Sequence, residues 1–173
     1  MRWIACTSVI ILAACGGGGA EQNKSAAKAQ RLDAGLWELS SEVTAFNKAD
    51  AGPPAIDTPV GTRDTETVCV GEGRPPASLF GGADYDCRYD NYYARNGRVN
   101  ATMMCRHDDL SGNIATTSDG RFEADSVEFT REIRTSLSGN GDVQISQRVT
   151  GRRTGECPPT PAGANSSAGN SAG

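Results

Sequence analysis

The sequence predicts an all-β domain: an antiparallel meander of about seven strands, curled as a barrel or folded as a sandwich, with one short helix and two disulfides. Three observations carry this. Apolar and polar residues alternate with period two in run after run, and no long helical period appears. Close turn signals rich in Gly, Asn, Asp and Ser separate the runs. Four cysteines, Cys69, Cys87, Cys105 and Cys157, fall within the patterned region.

The first strand places Trp37, Leu39, Val43 and Ala45 opposite Glu38, Ser40, Glu42 and Thr44, the signature of a half-buried strand. Residues 47–61 are rich in Pro, Gly and Asp and form a loop. Residues 62–70 are rich in Thr and Val and extended. Pro75 and Pro76 precede Ala77, Ser78, Leu79 and Phe80, which suggests a short helix with proline in its first turn. Residues 113–117 are extended and lead into a turn at Ser118-Asp119-Gly120. Val127, Phe129, Ile133 and Leu137 share one face of a long strand, with Glu128, Thr130, Glu132 and Arg134 on the other. After a turn over residues 138–141, Val143, Ile145 and Val149 return on an inward face.

Between Cys87 and Cys105 two extended runs flank Asn96-Gly97, the strongest short-range hairpin signal. A three-residue loop, Arg95-Asn96-Gly97, with Gly97 as a bulge, pairs Ala94 with Arg98 and Tyr93 with Val99. Counting outward, Cys87 then meets Cys105, and Tyr89, Tyr93, Val99, Ala101 and Met103 share the core face. Cys69 and Cys157 remain to form the second disulfide.

The ends of the chain have a different composition. Arg2, an apolar run through Leu12, and Ala13-Ala14-Cys15 resemble a bacterial lipoprotein signal with its lipobox. The implied organisation is a signal peptide over residues 1–14, lipidation at Cys15, a flexible tether over 15–31, the β domain over 32–157 and an unstructured tail over 158–173. Position 16 is Gly, not Asp, which by the sorting rule of such lipoproteins implies an outer-membrane anchor facing the periplasm. An even set of cysteines outside the cytoplasm fits disulfides, not a thiol metal site.

The net charge of −4 gives no broad basic bias toward nucleic acid. Arg131, Arg134, Arg148, Arg152 and Arg153 gather late in the chain and read as a solvated sheet face with interspersed glutamates. Tyr92 with Arg148, Arg152 and Arg153 is the candidate binding surface, an exposed aromatic and cationic group. His107 is the only histidine, beside Asp108 and Asp109 and with Asp84 and Asp86 expected across the hairpin base. A hydrolase would need it as a base, but no Gly-x-Ser-x-Gly elbow presents a nucleophile. The aspartate spacing matches no calcium loop, and no Cys-x-x-Cys pair suggests zinc or redox work. No cofactor, metal or catalytic residue is expected.

Gly35-Leu36-Trp37-Glu38-Leu39, Thr67-Val68-Cys69-Val70, Cys87, Asn96-Gly97, Cys105 and the closing Gly151-Arg152-Arg153-Thr154-Gly155-Glu156-Cys157 together resemble the domain of unknown function 3617 family. The resemblance implies a cysteine framework in a Gram-negative envelope and brings no catalytic residues. The expectation is a lipid-anchored, non-enzymatic binding or interaction module whose partner is an envelope protein or small ligand. The competing expectation is an envelope hydrolase using His107 and the neighbouring aspartates.

Overall fold

The structure, a computed structural model, describes residues 31–139 and 141–159. The expected signal peptide, the lipidated Cys15, all but the last residue of the tether, and the tail from residue 160 lie outside the described residues.

Seven strands and one helical turn follow in the order β1 (Gly35–Lys48), β2 (Arg63–Val70), α1 (Ser78–Gly81), β3 (Asp86–Arg95), β4 (Arg98–His107), β5 (Leu110–Phe122), β6 (Ser126–Leu137) and β7 (Val143–Gly155). They form one antiparallel sheet in the order β2-β1-β7-β6-β5-β4-β3. The all-β class, the seven antiparallel strands, the one short helix and the two disulfides are those expected; the sheet is single and open, neither closed as a barrel nor folded as a sandwich, with β2 and β3 as its two edges. Yet α1, only four residues long, touches both edge strands and also β4 and β5. The sheet therefore curls around it. The connection from β2 to β3, residues 71–85, runs as a strap across the concave face and fills the gap that a closed barrel would seal by strand pairing.

Leu79 and Phe80 are the strap's plug, both fully buried against Met103, Phe129 and the rest of the concave face. Burying two such side chains is worth roughly 1.5–3 kcal/mol each. Each end of the strap lies next to a disulfide. Cys69 at the end of β2 bonds Cys157, and Cys87 at the start of β3 bonds Cys105. Both pairs are those the hairpin register predicts.

The register reaches that result by another route. Ala94 faces Val99 and Arg95 faces Arg98, so the loop has two residues and not three. Asn96 and Gly97 both have positive φ, 55° and 72°, as the tight turn that matches strand twist requires. A shift between Tyr89 and Asn91 leaves Asp90 bulged and restores the pairing, so Cys87 still meets Cys105. Between turn and bulge the β3 side chains lie on the face opposite to the one expected, while Val99, Ala101 and Met103 of β4 keep the core face expected of them. Tyr92 turns inward and Tyr93 outward, where it is 49% exposed.

The expected turn at Ser118-Asp119-Gly120 is also absent. β5 runs straight through it to Phe122, and the chain reverses at residues 123–125, where the Glu123 amide donates to Ser126 O at 2.8 Å. Gly120 looks like a breaker but serves packing: a Cβ there would fall 2.6 Å from that of Phe129.

The two ends of the sheet differ. At the proximal end lie the first described residues, the 96–97 turn, the 123–125 turn and Cys157. Asp33 N donates to Ala124 O at 2.7 Å, and Phe122 N to Gly97 O at 3.0 Å. At the distal end lie the 49–62 loop, the start of β3 and the β4–β5 turn at Asp108-Asp109. Asp50 pins that loop, accepting the Gly141 and Asp142 amides on Oδ2 at 2.7 and 3.0 Å and the Gly52 amide on Oδ1 at 2.8 Å. These three amides hold its carboxyl below the usual aspartate range.

Candidate functional site

A cleft of about 370 Å³ opens at the distal end of the concave face. β1 supplies Ser41 and Val43, β2 supplies Asp64 and Glu66, the strap supplies Gly82 to Tyr85, and the β4–β5 turn supplies His107 and Asp109. Ala55 and Ile56 from the 49–62 loop form an apolar side. The edge strand β2 and the β4–β5 corner, distant in the hydrogen-bonding order, thus share one cavity because the sheet curls.

Arg131 forms the floor. It occupies the alternation slot between Phe129 and Ile133 on β6, so it points inward and is 4% exposed, not part of the solvated face expected for it. Its Nε donates to Phe80 O at 2.9 Å, its Nη2 to Glu66 Oε1 at 3.0 Å and its Nη1 to Gln147 Oε1 at 3.3 Å. Glu66 Oε2 accepts the Ala83 amide at 2.6 Å, and Ser118 Oγ donates to the same Phe80 carbonyl at 2.9 Å. One ion pair therefore ties β2, β6 and the strap together. Thr116, Ser118 and Arg131 are the buried polar residues among those described, and all three sit on the concave face of β5 and β6. No buried side-chain polar atom lacks a partner among the described residues.

Tyr85 walls the cleft edge-on to His107, with ring centroids 5.8 Å apart. Burial, then the nearby Asp84 carboxylate, pushes its phenol above the ordinary range. His107 Nδ1 accepts the Asp109 amide at 3.2 Å. Accepting that amide occupies the Nδ1 lone pair. The Asp109 carboxylate stands 3.9 Å from the same Nδ1 and is an ion partner only for a protonated ring. Of the aspartates expected around His107, Asp84 and Asp109 line the cleft; Asp86 lies instead against the outer side of the Cys87–Cys105 bond. No group of three or more His, Cys, Asp or Glu among the described residues is arranged to hold a metal.

The structure scatters the expected binding surface. Tyr92 is half-buried, its ring tilted against Phe80 and Tyr89 with centroids at 6.1 and 5.2 Å, and Arg74 lies 5.8 Å over its ring. Burial raises the phenols of Tyr89 and Tyr92. Arg153 pairs with Trp37 on the inward side, where it donates to Ala34 O at 2.6 Å and ion-pairs with Glu156. Arg148 and Arg152 remain exposed on the convex face, opposite Glu42 and Glu38. That pairing is the mixed-charge sheet face expected of them. The cleft itself had one signal in the sequence: Arg131 falls in phase with the apolar face of its strand.

Fold and site together define a disulfide-clamped antiparallel sheet, plugged by its own strap and holding a polar cleft at one end. A family model described as protein of unknown function (DUF3617) matches residues 32–157. The chain belongs to this family. No curated protein and no solved structure matches it.

Proposed function

We propose that the chain is a non-enzymatic binding module of the bacterial envelope, lipid-anchored at Cys15 to the outer membrane and facing the periplasm. The observation that carries the binding reading is the distal cleft, built from the edge strand β2, the strap and the β4–β5 corner, at the end of the sheet opposite the one where the described chain begins. Its 370 Å³ lies at the lower end of small-molecule sites, enough for a compact polar ligand or a peptide side chain. The anchor reading rests on the lipobox. No helix among the described residues is long and apolar enough to cross a membrane. The hydrolase reading has His107 in the cleft in its favour, but its Nδ1 is engaged by its own turn.

The test is chemical-shift mapping of the ¹⁵N-labelled protein against fractionated envelope extract. Binding in the cleft moves the amides of Tyr85, His107 and Leu110 and spares Thr117 on the convex face. Shifts confined to the convex face would contradict the reading, as would turnover of an ester or glycan substrate that His107→Ala abolishes. The anchor is read separately: wild type incorporates labelled palmitate and Cys15→Ala does not.

A further inference from the structure

On the convex face the mixed-charge pattern fails at one place. Arg95 on β3 faces Arg98 on β4, and Arg98 faces Arg121 on β5. Directly opposed residues on adjacent strands hold their Cβ atoms about 5 Å apart, and like charges so placed repel. All three are exposed, and none makes an ion pair or side-chain hydrogen bond among the described residues. On other strands Arg63 pairs with Glu42, Arg131 with Glu66 and Arg134 with Glu132, and the exposed Arg148 and Arg152 face Glu42 and Glu38 across the sheet. The nearest carboxylates by register are Glu128, across from Arg121, and Asp119, which already accepts from Asn100 at 3.2 Å. Tyr93, on the same convex face two residues before Arg95, is the most exposed aromatic among the described residues.

This row lies at the proximal end, where the described chain begins. The Phe122 amide, next to Arg121, bonds the 96–97 turn, and Asp33 bonds Ala124. Fifteen residues lie between Cys15 and Arg31. Fifteen residues can extend to at most about 50 Å, which leaves a lipid at Cys15 within reach of the surface that the arginine row faces.

We propose that Arg95, Arg98 and Arg121, with Tyr93, form a contact surface for anionic phospholipid headgroups. The row holds the proximal end of the domain against the membrane and turns the cleft outward. A phosphate between neighbouring guanidinium groups removes the repulsion that the protein alone leaves in place. A tyrosine at the edge suits the headgroup layer, with its ring toward the acyl boundary and its hydroxyl toward water. Three isolated arginines bind a surface weakly, and the anchor supplies the local concentration that makes the contact count. The proposal rests on the anchor reading for its context, but its test does not.

The test uses the full chain carrying Cys15→Ala, sedimented at low salt with vesicles of equimolar phosphatidylglycerol and phosphatidylcholine. Vesicles of phosphatidylcholine alone measure the apolar contribution of the N-terminal segment, and its basic residues Arg2, Lys24, Lys28 and Arg31 are the same in every variant. The expected result is binding that needs phosphatidylglycerol, falls with salt, and weakens about a hundredfold in Arg95→Gln/Arg98→Gln/Arg121→Gln. Arg148→Gln/Arg152→Gln, on the same face but opposite glutamates, changes it less than threefold. Equal binding by the triple variant overturns the proposal, and so does equal loss in the control. Displacement by inorganic phosphate at the vesicles' own phosphate concentration makes the row a small-anion site and also overturns it. Circular dichroism confirms that each variant is folded. Palmitate labelling of the wild type reports the anchor independently, so each reading fails on its own measurement.

Discussion

Replacing Arg131 by Met tests the strap latch directly. The side chain is 5% exposed and its partner Glu66 13%. Met keeps a straight apolar stem in the slot between Phe129 and Ile133 but removes the charge. Phe80 O keeps Ser118 as a donor, so that carbonyl is not orphaned. The penalty falls on Glu66, which retains only the Ala83 amide for a largely buried carboxylate. Removing one partner of a buried pair costs about 3–5 kcal/mol. For a domain of this size that is a fall in Tm of roughly 10–20 °C. The second half of the cycle makes the reasoning strict. In Arg131→Met/Glu66→Gln no buried charge remains, and Gln still offers an oxygen to Ala83. The double variant should recover to within about 2 kcal/mol of wild type, a coupling of at least 1 kcal/mol. Urea unfolding followed by Trp37 fluorescence gives all four stabilities. If the double variant is as unstable as Arg131→Met alone, the buried pair is not what holds the strap, and the argument fails.

Other perturbations separate the remaining parts of the account. Removing the Cys69–Cys157 bond, whose partners lie 88 residues apart, should cost about 4.6 kcal/mol, against about 3.2 for Cys87–Cys105 at 18 residues, in the chain-entropy model; paired Cys→Ala variants in urea decide the order. The Asp50 carboxyl is held below its unfolded value, so its contribution is present above that value and is lost as pH falls through the folded one. Asp50→Asn should therefore flatten the fall in Tm between about pH 5 and pH 2. Tyr89 is raised by burial, so its contribution is present below the unfolded phenol value and is lost as pH rises beyond it. Tyr89→Phe should resist alkaline unfolding above about pH 10 better than wild type, after allowance for the hydrogen bond that Tyr89 donates to Pro76 O. His107→Ala should leave ligand binding at the cleft within severalfold and the fold unchanged; complete loss of the cellular role with intact circular dichroism would favour the hydrolase reading.

Much of the fold is legible in the residues because alternation is a local property. Trp37 and Leu39, or Phe129 and Ile133, declare their face without reference to the rest of the chain. Both cysteine pairs follow from counting along one hairpin. The hairpin also shows where local reading breaks. Two irregularities, a tight turn at Asn96-Gly97 and a bulge at Asp90, cancel at the cysteines but invert the faces of Tyr92 and Tyr93 between them. Nothing in the local sequence of Asp90 marks it as the bulged residue. Gly120 shows the same ambiguity, since a glycine that makes room for Phe129 looks like a glycine that makes a turn. The cleft is least legible because it depends on curl: Glu66 and His107 come from strands near opposite edges of the sheet. Arg131 was readable in principle, because an arginine in phase with an apolar face must find a buried partner. The arginine row was not, because Arg95 faces Arg98 only once the two-residue turn fixes the β3–β4 register, and Arg98 faces Arg121 only through the separate β4–β5 register.

The central claim is that the domain has two functional ends, a proximal one against the membrane and a distal one open to a ligand. Photocrosslinking in intact cells tests it most directly, with benzoylphenylalanine placed in turn at Tyr93, at Tyr85 and, as a convex-face control, at Thr117. The account predicts that the probe at Tyr93 captures phospholipid, that the probe at Tyr85 captures a defined non-lipid envelope component, and that the probe at Thr117 captures neither above background. Phospholipid at Tyr85 and none at Tyr93 would place the membrane at the wrong end of the sheet and contradict the account.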